Sequence, residues 1–125
     1  MWNGRTELAR ELVAPRFALH LPPPNAVDPS TVDDPESVER WVVAHRARFD
    51  RITFHYDAGP FVDTVAGVVA GPWSADIAVG GVVRRVCGMD TIAFRDGKIT
   101  EYWTLSKDAE DVEGWTTASE VRRVS

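Results

Sequence analysis

The sequence predicts an α+β domain in which helices come first and an antiparallel sheet follows. Two observations carry this. Residues 34–49 place apolar side chains at helical spacing behind a helix-start signal. From Arg51 onward the chain changes to short runs rich in β-branched and aromatic residues, separated by glycine or proline. The 125 residues, 44% hydrophobic and 26% charged, fit one domain with a core large enough to fold unaided. Residues 1–108 form that domain, and 109–125 read as a tail in which Trp115 is the one large apolar group.

The elements follow in order. In "TELARELVAPRFALHLPPP" Thr6 is a helix cap, Leu8, Leu12 and Val13 form an apolar stripe, and Pro15 divides the segment. Phe17, Leu19 and Leu21 then alternate, until "PPPNAVDPSTVDDP" imposes an irregular rim loop. The clearest helix is Pro35–Phe49. Asp34 caps it, Pro35 suits its first turn, and Glu36 favours the positive end of its dipole. Val38, Trp41, Val42, His45 and Phe49 share one face. In the strand region Gly71-Pro72 and Gly80-Gly81 mark turns or kinks, and Asp96-Gly97 joins two strands as a hairpin.

Composition narrows the function classes. A net charge of −5 argues against nucleic acid or an anionic membrane as partner. Cys87 is the only cysteine, so there is no intrachain disulfide and no cysteine-based zinc site. No apolar run has the length of a membrane span, and the start lacks a signal-peptide layout, so a cytoplasmic protein is expected. His20, His45 and His55 show no metal-ligand spacing, and neither a metal nor a cofactor is expected.

One residue stands out. Asp90 lies in a strand whose even positions read Val86, Gly88, Asp90, Ile92 and Phe94, an otherwise apolar face. The carboxyl should point inward with Ile92. There it either lines a cavity or is satisfied by Arg84, Arg85 or a backbone donor. His45 on the apolar helix face is a core residue or a base, and His20 ends a strand before the proline loop. Phe17, Trp41 and Trp73 supply apolar walls.

The pattern "WNGR…LVAPRFALH", a tryptophan-bearing helix and "GMDTIAFRDGKITEYW" resemble the nuclear-transport-factor-2-like (NTF2-like) superfamily, and within it the SnoaL-like polyketide cyclases. The resemblance runs over Trp2 to Asp108. It implies a cone, a strongly curved sheet wrapped around helices with a ligand pocket between them. Family members carry a longer helix before the Trp-Asn pair, so the cone is expected to be less covered here. At the position of Asp90, SnoaL-like cyclases hold a pocket histidine. Ketosteroid isomerases, distant relatives, hold an aspartic acid that stays protonated and donates to an oxyanion. The cyclases' catalytic aspartate matches Thr104, which cannot act as a base at neutral pH. His20 matches a position near the pocket mouth.

The hairpin loop decides what faces Asp90. A two-residue loop pairs it with Trp103, whereas a three-residue loop with a glycine bulge pairs it with Tyr102. The family mapping needs positions 90 and 104 on one face and favours the bulged loop. Asp90, Tyr102 and His20 are then the catalytic candidates, with Phe17, Trp41, His45, Trp73, Ile92 and Thr104 around the ligand. The expected function is a cofactor-independent cyclase or isomerase acting on a small apolar carbonyl compound. Alternatives are a non-catalytic ligand-binding or association domain, and a structural dimer with a filled cone. A homodimer through the outer sheet face is expected.

Overall fold

The computed structural model describes residues 1–21 and 27–107. The tail 109–125 and its Trp115, and Pro22–Ala26 of the rim loop, lie outside the described residues. Among the described residues two α-helices, α1 (Ala9–Leu12) and α2 (Pro35–Ala47), accompany six strands. The strands are β1 (Val13–His20), β2 (Arg51–Tyr56), β3 (Phe61–Asp63), β4 (Val68–Val79), β5 (Val82–Arg95) and β6 (Lys98–Ser106). They form one curved, unclosed sheet of order β1-β6-β5-β4-β2, with β3 also paired to β4. No helix among the described residues is long and apolar enough to cross a membrane.

Helix α2 starts where the sequence says it should. The Ser37 amide donates to Asp34 Oδ1 at 2.7 Å, and the Asp34 amide donates to Ser37 Oγ at 3.0 Å. Val38 and Val42 are then buried against Phe17, Leu19, Ile99 and Tyr102 of the sheet. A second cluster, Phe49, Ile52, Ala75, Ile77, Val79 and Val86, fills the other end.

The first segment departs from expectation. A 3₁₀ turn, Thr6–Leu8, and the single turn of α1 replace a full helix; the N-cap is Arg5, not Thr6. Val13 already belongs to β1, which pairs parallel to β6 and so makes the sheet mixed. Pro15 is accommodated because β1 is an edge strand whose register shifts between Val13 and Ala18. The strands from Arg51 to Ser106 are antiparallel throughout.

The two glycine signals part company. Gly80-Gly81 is the β4–β5 turn, both residues having positive φ (57° and 80°). Gly71-Pro72 is no turn and lies inside β4. Along that edge β2 pairs with Trp73–Ala78 and β3 with Val68–Ala70, so Gly71-Pro72 falls in the gap between partners. A proline removes no ladder bond there.

The β5–β6 hairpin corrects both expected registers. Asp96 and Gly97 form a two-residue loop with φ of 53° and 73°, and Arg95 pairs with Lys98. A bulge at Thr100 then shifts the ladder between Ala93 and Phe94, so Asp90 pairs with Thr104 and Ile92 with Tyr102. Asp90, Tyr102 and Thr104 therefore share the concave face, as the family mapping required, although by a bulge in the strand and not in the loop.

Candidate functional site

The concave face is set by strand alternation. Across the ladder lie the rows Tyr56–Trp73–Gly88–Ser106, Gly71–Asp90–Thr104 and Ile92–Tyr102–Leu19. Asp90 is buried at the centre. Trp73 Nε1 donates to its Oδ1 at 2.8 Å, the Tyr102 hydroxyl donates to Oδ2, and the Thr104 hydroxyl is a third partner.

Gly88 makes the first of these bonds geometrically open. A β-carbon there would stand 2.5 Å from Trp73 Cζ2 and 2.2 Å from the Leu105 carbonyl oxygen. The indole of Trp73 lies across that glycine to reach Asp90. Gly71 plays a similar part for Tyr56, whose ring would be 3.1 Å from a β-carbon at that position.

Every identified partner of Asp90 is uncharged. Arg85, one expected counter-ion, instead donates to Asp76 at 2.9 and 3.2 Å on the exposed side of the sheet. Burial pushes the Asp90 carboxyl above the ordinary aspartate value, and the bonds from Thr104, Tyr102 and Trp73 oppose this only in part. Tyr102, buried beside that carboxyl, is held well above the usual tyrosine range. Burial and the charge of Asp90 raise Tyr56 as well. The arrangement is thus a hydrogen-bonded carboxyl–phenol pair whose ionisation burial disfavours, and its protonated form can donate toward an oxygen that gains negative charge.

Aromatic rings surround the pair. Trp41 meets Tyr102 edge-on at 6.2 Å, and Phe54 meets Trp73 at 5.5 Å. Phe17 is buried in the cluster that contains Tyr102, and Ile92 packs on it. His45 lies among Trp2, Phe49 and Phe54, at ring distances of 5.5, 5.4 and 6.4 Å. Desolvation there, aided by Arg48 and Arg46, lowers its pKa to about 4.

That shift has a thermodynamic signature. An unfolded chain protonates this imidazole below about pH 6.5, whereas the fold resists it until about pH 4. Stability should therefore fall as pH drops through this window, by about 3 kcal/mol at most. Urea melts across pH 4–7 should show a slope that His45→Phe removes. An unchanged slope in that variant would mean that His45 does not couple to folding.

His20 is not brought to Asp90. It pairs with Trp103 on the convex face, where its ring stacks on Trp103 at 4.8 Å and Nε2 donates to Glu101 Oε2 at 2.9 Å. Odd positions of β6 face away from Tyr102. Only the parallel pairing of β1 with β6 reveals this.

The start of the chain supplies what sequence reading missed. Trp2 packs on Trp41, His45, Phe54 and Tyr102. Asn3 holds it there, donating from Nδ2 to the Phe54 carbonyl at 3.0 Å and accepting the Phe54 amide at 2.8 Å. Arg46 donates to the Trp2 carbonyl and, at 3.3 Å, to that of Ile52. The Trp-Asn pair was the available signal. Tyr56 was legible too, as the last of the alternating Ile52, Phe54 and Tyr56.

No family model matches the sequence, and neither does any curated protein. Solved structures do match. IdmH of Streptomyces antibioticus, a candidate polyketide cyclase, is 27% identical with a TM-score of 0.66, over 86% of this chain and 85% of that one. A candidate polyketide cyclase from Acidithiobacillus ferrooxidans is 17% identical with a TM-score of 0.74, over 94% and 85%. A SnoaL-like polyketide cyclase candidate from Jannaschia is 14% identical with a TM-score of 0.68, over 88% and 77%. Their shared cone, with helices against a curved mixed sheet, is the fold described above: the chain has the NTF2-like fold of SnoaL-like polyketide cyclase structures, and these neighbours support its placement in the NTF2-like superfamily.

Proposed function

We propose that this protein is a cofactor-independent cyclase or isomerase that acts on a small, largely apolar carbonyl compound inside the cone. The observation that carries this reading is the buried Asp90–Tyr102 pair, held by uncharged partners within aromatic walls. In this reading the ligand's carbonyl oxygen lies against the pair. Hydrogen bonding there stabilises the enolate formed when a neighbouring C–H proton leaves, and the low-polarity surroundings strengthen that effect. His45, unprotonated above about pH 4, is the proton acceptor. The candidate cyclases among the structural neighbours support the same class of chemistry.

Exchange of the α-hydrogens of 1-indanone in deuterated water, followed by NMR, tests it. The wild type should accelerate exchange over buffer, and Tyr102→Phe should lose about a hundredfold of that acceleration. A wild-type rate equal to buffer would overturn the catalytic reading. A non-catalytic ligand-binding domain would then stand, a reading that the full engagement of Asp90 by Trp73, Tyr102 and Thr104 favours.

A second copy of the chain on the convex face is part of the proposal. Met89, Trp103 and Leu105 lie on that face with 51%, 39% and 57% of their surfaces exposed. Sedimentation at high micromolar concentration should give twice the 13.9 kDa of one chain, and a single-chain mass would count against it.

A further inference from the structure

Two indoles reach into the cone, and their N–H groups have different fates. Trp73 Nε1 donates to Asp90 at 2.8 Å. Trp2 Nε1 is buried and has no acceptor among the described residues. Buried donors in folded proteins are nearly always paired, so an unpaired one at a candidate site points to an acceptor supplied from outside.

The unpaired donor is also fixed in place. The two bonds between Asn3 and the Phe54 backbone and the bond from Arg46 to the Trp2 carbonyl anchor its backbone on either side. Its ring is set edge-to-face on Trp41 at 4.8 Å and on His45 at 5.5 Å. It stands close enough to the Tyr102 hydroxyl to favour that group's ionised form, without reaching hydrogen-bond geometry.

An oxygen that accepts from Trp2 therefore lies within reach of Tyr102. The proton count allows a second bond. When Asp90 is protonated, its proton can be donated to the Tyr102 oxygen, and this releases the Tyr102 proton toward a ligand. The walls beside it, Trp41, Phe54 and an uncharged His45, are flat rings.

We propose that the Trp2 N–H and the Tyr102 O–H together recognise one carbonyl oxygen, so that the cone takes a planar, apolar ketone in preference to the matching hydrocarbon. This rests on the Asp90–Tyr102 reading above and adds a specificity-determining residue to it.

Matched probes, 1-indanone and indane, test the inference on the full chain. The wild type should prefer 1-indanone, and Trp2→Phe, which keeps a ring and removes the N–H, should cut that preference about threefold to tenfold. In ¹H–¹⁵N spectra the Trp2 indole resonance should move downfield with 1-indanone and stay in place with indane. That readout uses the wild type and so does not depend on how well the variant folds. Wild-type preference retained in Trp2→Phe but lost in Tyr102→Phe would overturn the role of Trp2 and leave the proposed function standing. An indole resonance that 1-indanone leaves unmoved while Tyr102 responds would do the same. Absence of any 1-indanone binding by the wild type would overturn both.

Discussion

Asp90→Asn should melt within about 1 kcal/mol of the wild type, whereas Asp90→Leu should lose about 3–5 kcal/mol. Asparagine can accept from Trp73 through its oxygen and donate to the Tyr102 oxygen through its amide, so the local network persists. Leucine accepts nothing. It leaves the Trp73 N–H, the Tyr102 hydroxyl and the Thr104 hydroxyl without their common partner in a buried place.

The pH dependence separates the two contributions of the carboxyl. Because burial raises the folded pKa above 3.8, the fold penalises the ionised form. That penalty is present at neutral pH and is relieved as pH falls through the folded pKa. Asp90→Asn should remove this component, which runs opposite in sign to that of His45. Denaturant melts from pH 3 to 8, with NMR titration of the carboxyl, check both. A depressed carboxyl pKa, with a large stability loss in the asparagine variant, would make Asp90 a structural ion-pair member. The electrophilic role would then fail.

Gly88→Ala should be the most damaging single-methyl change in the sheet, at about 3 kcal/mol or more. The new β-carbon would collide with the Leu105 carbonyl at 2.2 Å, and backbone cannot swing aside as a side chain can. It would also meet the Trp73 ring at 2.5 Å, displacing the indole from Asp90. The variant should therefore lose both stability and the Trp73 contribution to the site. Trp73→Phe serves as the comparison, because it removes only the N–H. Thermal melts of both, with the 1-indanone exchange rate, are the measurement. A Gly88→Ala protein that melts like the wild type would show that β5 and β6 separate easily at this point.

Much of this protein follows from the sequence alone. Helix α2 was legible because Asp34, Pro35 and the spacing from Val38 to His45 all act within a few turns of chain. The inward direction of Asp90 was legible because a strand alternates whatever it pairs with, and its even neighbours are apolar. Tertiary structure decided what depends on distant chain. The bulge at Thr100 changed the parity of β6 against β5 and put Tyr102 and Thr104 on the side of Asp90. Parallel pairing with β6 carried His20 to the opposite face, next to Trp103. Asn3 bonded to the backbone of β2, 51 residues away, and so brought Trp2 into the cone. Local propensity fixes which way a side chain points from its own strand. Only the pairing of strands, one residue of register at a time, fixes which other side chains it meets.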